Sequence, residues 1–294
     1  MRKAMKIVGW SVGGLLALVV VVLGVGFAYG GQRLANARPA TSATVAVPTD
    51  AAAVERGRHL VHAVVSCSGC HGGDLGGAAF LDDPMIGSLP APNLTGGRGG
   101  FAVNATIEDW VLAVRHGVGK DGRALGGMPS FAYANLSDAD LGAIFAYLGT
   151  VPPVDRVIAA RKLTFMGTVL FGTVGYETLS VARVDHGAGP LAHPIEAVGV
   201  EYGRYLTTVA ACADCHGETY RGGAAGAGPP PGPDITGVGL AGWTEDDLNT
   251  LMRSGRRPDG SLVGGNMPWA SHAGMTDDEL TSMWLFLASL PGGG

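Results

Sequence analysis

The sequence predicts an all-α protein, with two small helical domains in tandem behind one N-terminal transmembrane helix. Three observations carry that prediction. Ile7 to Gln32 contains no charged residue. The chain beyond residue 53 repeats itself block by block, at about the length of one small domain. Inside each repeat, apolar residues recur at helical spacing behind helix-start signals.

The first element is the apolar run. Its centre, LLALVVVVLGVGFAYG, is long enough to cross a bilayer, which takes about 20 apolar residues. Arg2, Lys3 and Lys6 precede it, so the excess of positive charge places the N-terminus in the cytoplasm. Trp10 and Tyr29 stand near its two ends, where interfacial aromatics are favoured. The competing reading is a cleaved signal peptide, with Ala35-Asn36-Ala37 as a small-residue cleavage site, although a signal's apolar region is usually only about 7–15 residues. Both readings export everything that follows. The expected organisation is an anchor over 1–33, then a flexible tether rich in Ala, Pro, Thr and Ser over 34–53.

Two domains follow, at 54–153 and 196–294, with an interdomain segment over 154–195. VERGRHLVHAVVSCSGCHG parallels VEYGRYLTTVAACADCHG, and PNLTG parallels PDITG. TIEDWVLAVRHGVGKDGRALGGMPSF parallels TEDDLNTLMRSGRRPDGSLVGGNMPWA. Thr106, Ser137, Thr244 and Thr276 read as N-caps, each with an acid three residues on. Leu141, Ile144, Phe145 and Leu148 lie at helical spacing, as do Leu280, Met283, Trp284 and Leu287. No strand pattern competes. The interdomain segment carries LTFMGTVLFGTVGY, an apolar helix too short to span a bilayer. It packs between the domains or faces a partner or the membrane.

Composition narrows the function classes. Charged residues are 15 % and hydrophobic residues 47 %, which suits compact domains with much loop. Residues 1–49 hold five basic residues and no acid, so the remainder carries 15 basic against 25 acidic residues. No basic patch points to nucleic acid. An acidic body suits either a solvated surface or attraction to a basic protein partner.

All four cysteines fall in two copies of one pattern, Cys67-Ser-Gly-Cys70-His71 and Cys212-Ala-Asp-Cys215-His216. Cys-x-x-Cys-His is the attachment signal for c-type haem. Two thiols on one helical turn reach both vinyl groups as thioethers, and the adjacent histidine projects towards iron. A thioredoxin-like pair needs a βαβ unit, which is absent from the pattern. A zinc site built from all four thiolates leaves both histidines and the repeat unexplained. Disulfides three residues apart would close strained small loops. The cofactors expected are therefore two covalent c-type haems with iron, on Cys67, Cys70, Cys212 and Cys215. Met128 and Met267 occupy equivalent Met-Pro loops, 57 and 51 residues beyond His71 and His216, and are the candidate sixth ligands. A ligating histidine usually donates its other N–H to an acceptor, and the carbonyls of Pro92 and Pro233 are the candidates. Arg115 and Arg253 recur on equivalent helices, where each pairs with a haem propionate or is simply solvated. His59, His62 and His116 have no histidine at the equivalent position and read as surface or propionate-side residues. His186, His193 and His272 read as loop residues.

The order of haem motif, proline loop, Met loop and closing helix resembles class I c-type cytochromes, over about 200 of the 294 residues. In that family the proline-loop carbonyl accepts from the axial histidine and the Met loop supplies the distal ligand. The whole chain is similar to a membrane-anchored dihaem cytochrome c. It is also similar to the cytochrome subunits of bacterial membrane dehydrogenases, which often carry three haems where this chain has two motifs. The resemblance implies an electron carrier, not an enzyme, working between redox partners such as a respiratory or photosynthetic complex on the outer side of the cytoplasmic membrane. Two alternatives stay open: a catalytic dihaem enzyme, peroxidase-like or thiosulfate-oxidising, and a cytochrome subunit of a dehydrogenase or oxidase complex.

Overall fold

The computed structural model describes residues 2–37, 44–223 and 230–291. Helix α1 runs from Arg2 to Ala35, and Met5–Ala35 is long and apolar enough to cross a membrane. Its C-terminal end packs on the first domain. Leu34 is buried with Val118, Leu179 and Val181, and its carbonyl accepts from the Ala124 amide. Arg33 pairs with Glu177 and lies over the Tyr176 ring. Beyond the gap, Val45 is buried in the main core, and Gly142 sits against the Ala46 carbonyl. The expected flexible tether is thus packed at both its described ends, because Leu34 and Val45 are apolar residues within reach of a core; 38–43 of it lie outside the described residues.

The first domain comprises α2 (Ala51–His59), a wider turn (Leu60–Val64), α3 (Cys67–His71), α4 (Ile107–His116), α5 (Ser130–Tyr133) and α6 (Asp138–Leu148). The helix starts follow their caps. The hydroxyls of Thr106 and Ser137 accept from the amides of Asp109 and Asp140. The strand-free expectation needs correcting. Strand β1 (Ala78–Asp83) pairs antiparallel with β2 (Gly87–Ala91), which pairs with β3 (Lys162–Leu163) from the interdomain segment. The turn between β1 and β2 is local chemistry: Asp83 accepts from the amides of Met85 and Ile86, and Gly87 takes φ +114°.

The rest of the interdomain segment also belongs to the first domain's surface. Asn93 donates to the carbonyls of Val154 and Arg156, and Arg156 pairs with Asp74. Helix α7 (Phe165–Gly172) packs on α1, and α8 (Ser180–Arg183) packs on α5. The apolar helix therefore does not lie between the domains.

The second domain repeats the helices as α9 (Val200–Val209), α10 (Ala213–His216), α11 (Glu245–Ser254), α12 (Trp269–His272) and α13 (Asp277–Ser289). Thr244 and Thr276 close capping boxes with Asp247 and Glu279. In each domain the first helix crosses the last at a glycine. A Cβ at Gly57 would lie 1.9 Å from the Ala143 carbonyl oxygen, and one at Gly203 would lie 1.8 Å from that of Ser282. One buried cluster runs through both domains, from Leu60, Leu141 and Ile144 to Leu206, Leu280 and Met283.

Candidate haem centres

Each Cys-x-x-Cys-His motif forms a single helical turn with the same backbone around it. The residue before the first cysteine, Ser66 or Ala211, is left-handed, at φ +56° and +59°. The glycine after the histidine, Gly72 or Gly217, has φ +82° and +77°. These bends bring the turn in and send the chain off in a direction that L side chains rarely allow. No disulfide joins any of the four cysteines. Burial disfavours the thiolate form of Cys67 and Cys212 and pushes both thiols up to about 12. The four-thiolate zinc reading fails on placement: among the described residues no three of His, Cys, Asp and Glu gather as a metal set.

The histidines behave alike. Nδ1 of His71 lies 2.7 Å from the Pro92 carbonyl oxygen, and Nδ1 of His216 lies 2.7 Å from that of Pro233. A carbonyl only accepts, so Nδ1 carries the proton and donates it. That fixes the tautomer and leaves the Nε2 lone pair available. Met128 and Met267 are half-buried and pack against the same apolar cluster as Cys67 and Cys212. The Met128 carbonyl accepts from the Ser180 hydroxyl on α8.

Both arginines have protein partners. Arg115 is buried, donates to the Leu136 carbonyl and pairs with Asp138 at 2.7 Å. Arg253 donates to the Ala273 carbonyl and pairs with Asp277 at 2.8 Å. Each ties the end of its domain's third helix, α4 or α11, to the start of the closing helix. Arg115 Nε remains buried without a partner, as does Ser66 Oγ beside Cys67. The donor set fits a c-type haem in each domain: two thiols on one turn, an imidazole with a free Nε2, and a thioether on the same apolar wall. The unpartnered Arg115 Nε and Ser66 Oγ add polar groups available to a bound group in the first domain.

Sequence reasoning missed how the centres are joined. Across the domain boundary, Tyr205 donates to Asp140 at 2.6 Å, and His59 Nε2 lies 2.8 Å from Glu279. His59 and Tyr205 are equivalent repeat positions, as are Asp140 and Glu279, so the two bonds are related by approximate two-fold symmetry. Arg56 lies between them, 3.0 Å from Asp140, 3.6 Å from Glu279 and 3.3 Å from the Tyr202 hydroxyl. The motif helices join the opposite domains too. A Cβ at Gly69 would lie 2.7 Å from Ser271 Oγ on α12, just beyond the second Met loop. Asp214, inside the second motif, pairs at 2.6 Å with Arg183, whose guanidinium stacks 3.4 Å over Phe131 beyond the first Met loop. The signal was present in the repeat: Asp214 replaces Gly69, and an acid beside a buried thiol calls for a cation.

Of the remaining histidines, His116 is buried and His193 is exposed, and each has a partner. His59 joins this seam, His62 bonds Tyr147, and His116 pairs with His186 at 2.9 Å. His193 bonds Ser137, and His272 closes α12, its Nδ1 near the Ala63 carbonyl.

Residues 52–148 match the family described as cytochrome c oxidase, cbb3-type, subunit III, and residues 200–291 match the cytochrome c family. The fructose dehydrogenase cytochrome subunit of Gluconobacter japonicus is 27 % identical over 281 residues, covering 83 % of this chain and 54 % of that protein. The cytochrome c subunit of a quinone alcohol dehydrogenase from Gluconobacter oxydans is 26 % identical, covering 82 % of this chain and 55 % of its own. A dihaem c-type cytochrome from Cereibacter sphaeroides is 29 % identical, covering 68 % of this chain and 73 % of its own. This chain spans about half the length of the first two relatives.

Proposed function

We propose that this chain, whose two helical domains are cytochrome c domains with one covalently bound c-type haem each, is a membrane-anchored electron carrier of the class I type. The haems, when bound, supply a one-electron couple. The single observation that carries the reading is the repeated histidine geometry: both Nδ1 atoms are held 2.7 Å from a proline carbonyl oxygen, with a Met-Pro loop at the equivalent place in each domain. Cys67, Cys70, Cys212 and Cys215 hold the two haems. His71 and His216 would offer Nε2 to the haem iron, and Met128 and Met267 would supply thioether sulfur as the second protein ligand. A haem ligated in that way would leave no open position for substrate, which favours the carrier over the catalytic dihaem reading. Pro92 and Pro233 orient the histidines. Arg115, with its Nε unpartnered, would be available to a propionate; Arg253 is the equivalent group in the second domain.

The N-terminal helix anchors the chain in the cytoplasmic membrane with its N-terminus inside, and the haem domains, 54–153 and 196–294, lie on the outer side. The burial of Leu34 in the first domain supports retention of the helix, since cleavage after Ala37 would remove that side chain from its cluster. The partners are redox proteins. The relatives' names favour one arrangement, in which the chain receives electrons as the cytochrome subunit of a membrane dehydrogenase.

The test is an absorption spectrum of the purified protein, oxidised and reduced, with carbon monoxide added to the reduced form. Two low-spin haems indifferent to carbon monoxide are expected. Binding to one of them in the unmutated protein would overturn the capped arrangement and restore the enzyme reading.

A further inference from the structure

We propose that α7 is an interfacial membrane foot: it lies at the level of the outer lipid headgroups, clamped to α1, and its exposed face rests in the bilayer. The inference rests on the reading of α1 as the membrane anchor.

The level follows from counting along α1. A hydrocarbon core of about 30 Å takes about 20 residues at about 1.5 Å each. Counted from Lys6, the last charge before the apolar run, the far boundary falls near residue 27. Helix α7 docks just there. A Cβ at Gly26 would meet Val169 at 3.5 Å, and one at Gly31 would meet Thr168 at 3.7 Å. At Gly30 the two backbones touch: a Cβ there would lie 3.0 Å from the Gly172 Cα, and one at Gly172 would lie 2.2 Å from the Gly30 Cα. Glycine on both helices permits this closeness, so α7 is fixed to the end of the span and not hung from it.

The orientation follows from what remains uncovered. One side of α7 is used by α1, and Gly167 is pressed on the Ile86 carbonyl of the β1–β2 turn. The side left over is apolar: Phe165 and Met166 are each 45 % exposed, Leu170 39 %, and Val174, just beyond the helix, 82 %. Phe165 stacks on Phe27 of α1 at 4.9 Å, and Phe27 is itself 42 % exposed. No charge interrupts residues 163–176. Lys162 stands exposed just before the helix, placed for a lipid phosphate. An uncharged apolar face continuous with the exposed wall of a membrane helix is covered most simply by the same lipid. A short helix with its apolar face sunk about 5–10 Å at the headgroup boundary is the usual form of such a foot.

The foot also bears on the rest of the molecule. It fixes the first domain against the bilayer through β3 and α8, which continue from α7 on either side, so the Met128 loop is held at a set height above the lipid.

The experiment uses the full-length haem-loaded protein in phosphatidylcholine vesicles containing nitroxide-labelled lipid. With the four native cysteines consumed by haem, a single introduced cysteine can carry a fluorophore. Four variants are compared: Leu170→Cys and Val174→Cys on the foot, Val20→Cys within α1, and Glu201→Cys on α9. Quenching several-fold stronger at 170 and 174 than at 201 is expected, alongside strong quenching at 20. Quenching at 20 with 170 and 174 no higher than 201 would overturn the foot while leaving the anchor standing; a protein partner would then be the cover for that face. Absence of quenching at 20 would overturn the anchor reading, and the foot with it.

Discussion

His71 and His216 show how much a single hydrogen bond decides. The proline carbonyl 2.7 Å from each Nδ1 selects one tautomer, and only that tautomer offers Nε2 as a ligand. The Met residues have no comparable restraint on sulfur; they depend on the loop that carries them. Met128→Ala or Met267→Ala is therefore expected to open one iron, giving carbon monoxide binding at one haem and a lower potential for it in a redox titration. An unchanged spectrum in both variants would remove the proposed distal ligation. Two glycines are equally specific. Ala at Gly57 or Gly203 would place a methyl group within 2 Å of a carbonyl oxygen on the closing helix, which must then move away. Overpacking of this kind costs about 1–3 kcal/mol, and denaturant unfolding of Gly57→Ala should show a loss in that range.

Among the elements, α8 has the fewest residues for what it joins. Its first residue, Ser180, donates to the Met128 carbonyl, and its last, Arg183, reaches Asp214 in the second haem motif while stacking on Phe131. One four-residue helix thus bridges the two centres. The ion pair is about a quarter exposed on each side, so its net contribution is modest, about 1 kcal/mol with the ring stacking. Arg183→Leu should leave both haem spectra intact yet speed amide hydrogen exchange across 213–217. Exchange unaltered there would mean that α8 does not hold the second motif. Helix α7 has the same character: its apolar run is visible in the sequence, but the glycine-lined surface it packs on belongs to α1.

At the scale of the whole molecule, the two domains meet through charge buried between them. The side chains of Asp140 and Glu279 are 1 % and 4 % exposed, and Arg56 is the cation they share. Arg56→Met leaves two buried acids short of their cation, for an expected loss of about 3–5 kcal/mol; a loss below about 1 kcal/mol would show that the seam is held otherwise. Burial alone would raise the Glu279 carboxyl, but His59, the Thr276 amide and Arg56 together outweigh it and hold it below its ordinary value of 4.5. A carboxyl depressed by folding adds stability above its unfolded value, and that contribution is lost as the pH falls through the folded one. The thermal midpoint should therefore drop on acidification below about pH 4.5, and Glu279→Gln, less stable at neutral pH, should show a shallower drop.

The sequence by itself determined the features that are local or repeated. Capping boxes, the helical turn of Cys-x-x-Cys-His, the apolar span and the order of loops depend on residues a few positions apart, and the duplication tests each against its copy. His71, Met128 and Pro92 stood out as candidates for that reason, because His216, Met267 and Pro233 stand in the same order. The β1–β2 hairpin was not legible, since the described residues of the second domain show no counterpart and β2 pairs with β3, a two-residue strand far along the chain. Arg115 and Arg253 were legible as recurring residues, while their partners, backbone carbonyls and acids at the start of the closing helix, were not. Only the tertiary structure decided the Arg56 seam, the α8 bridge and the docking of α7 on α1. Each joins residues far apart in the chain, and what makes each favourable is burial and charge neutralisation created by packing, which no local pattern records.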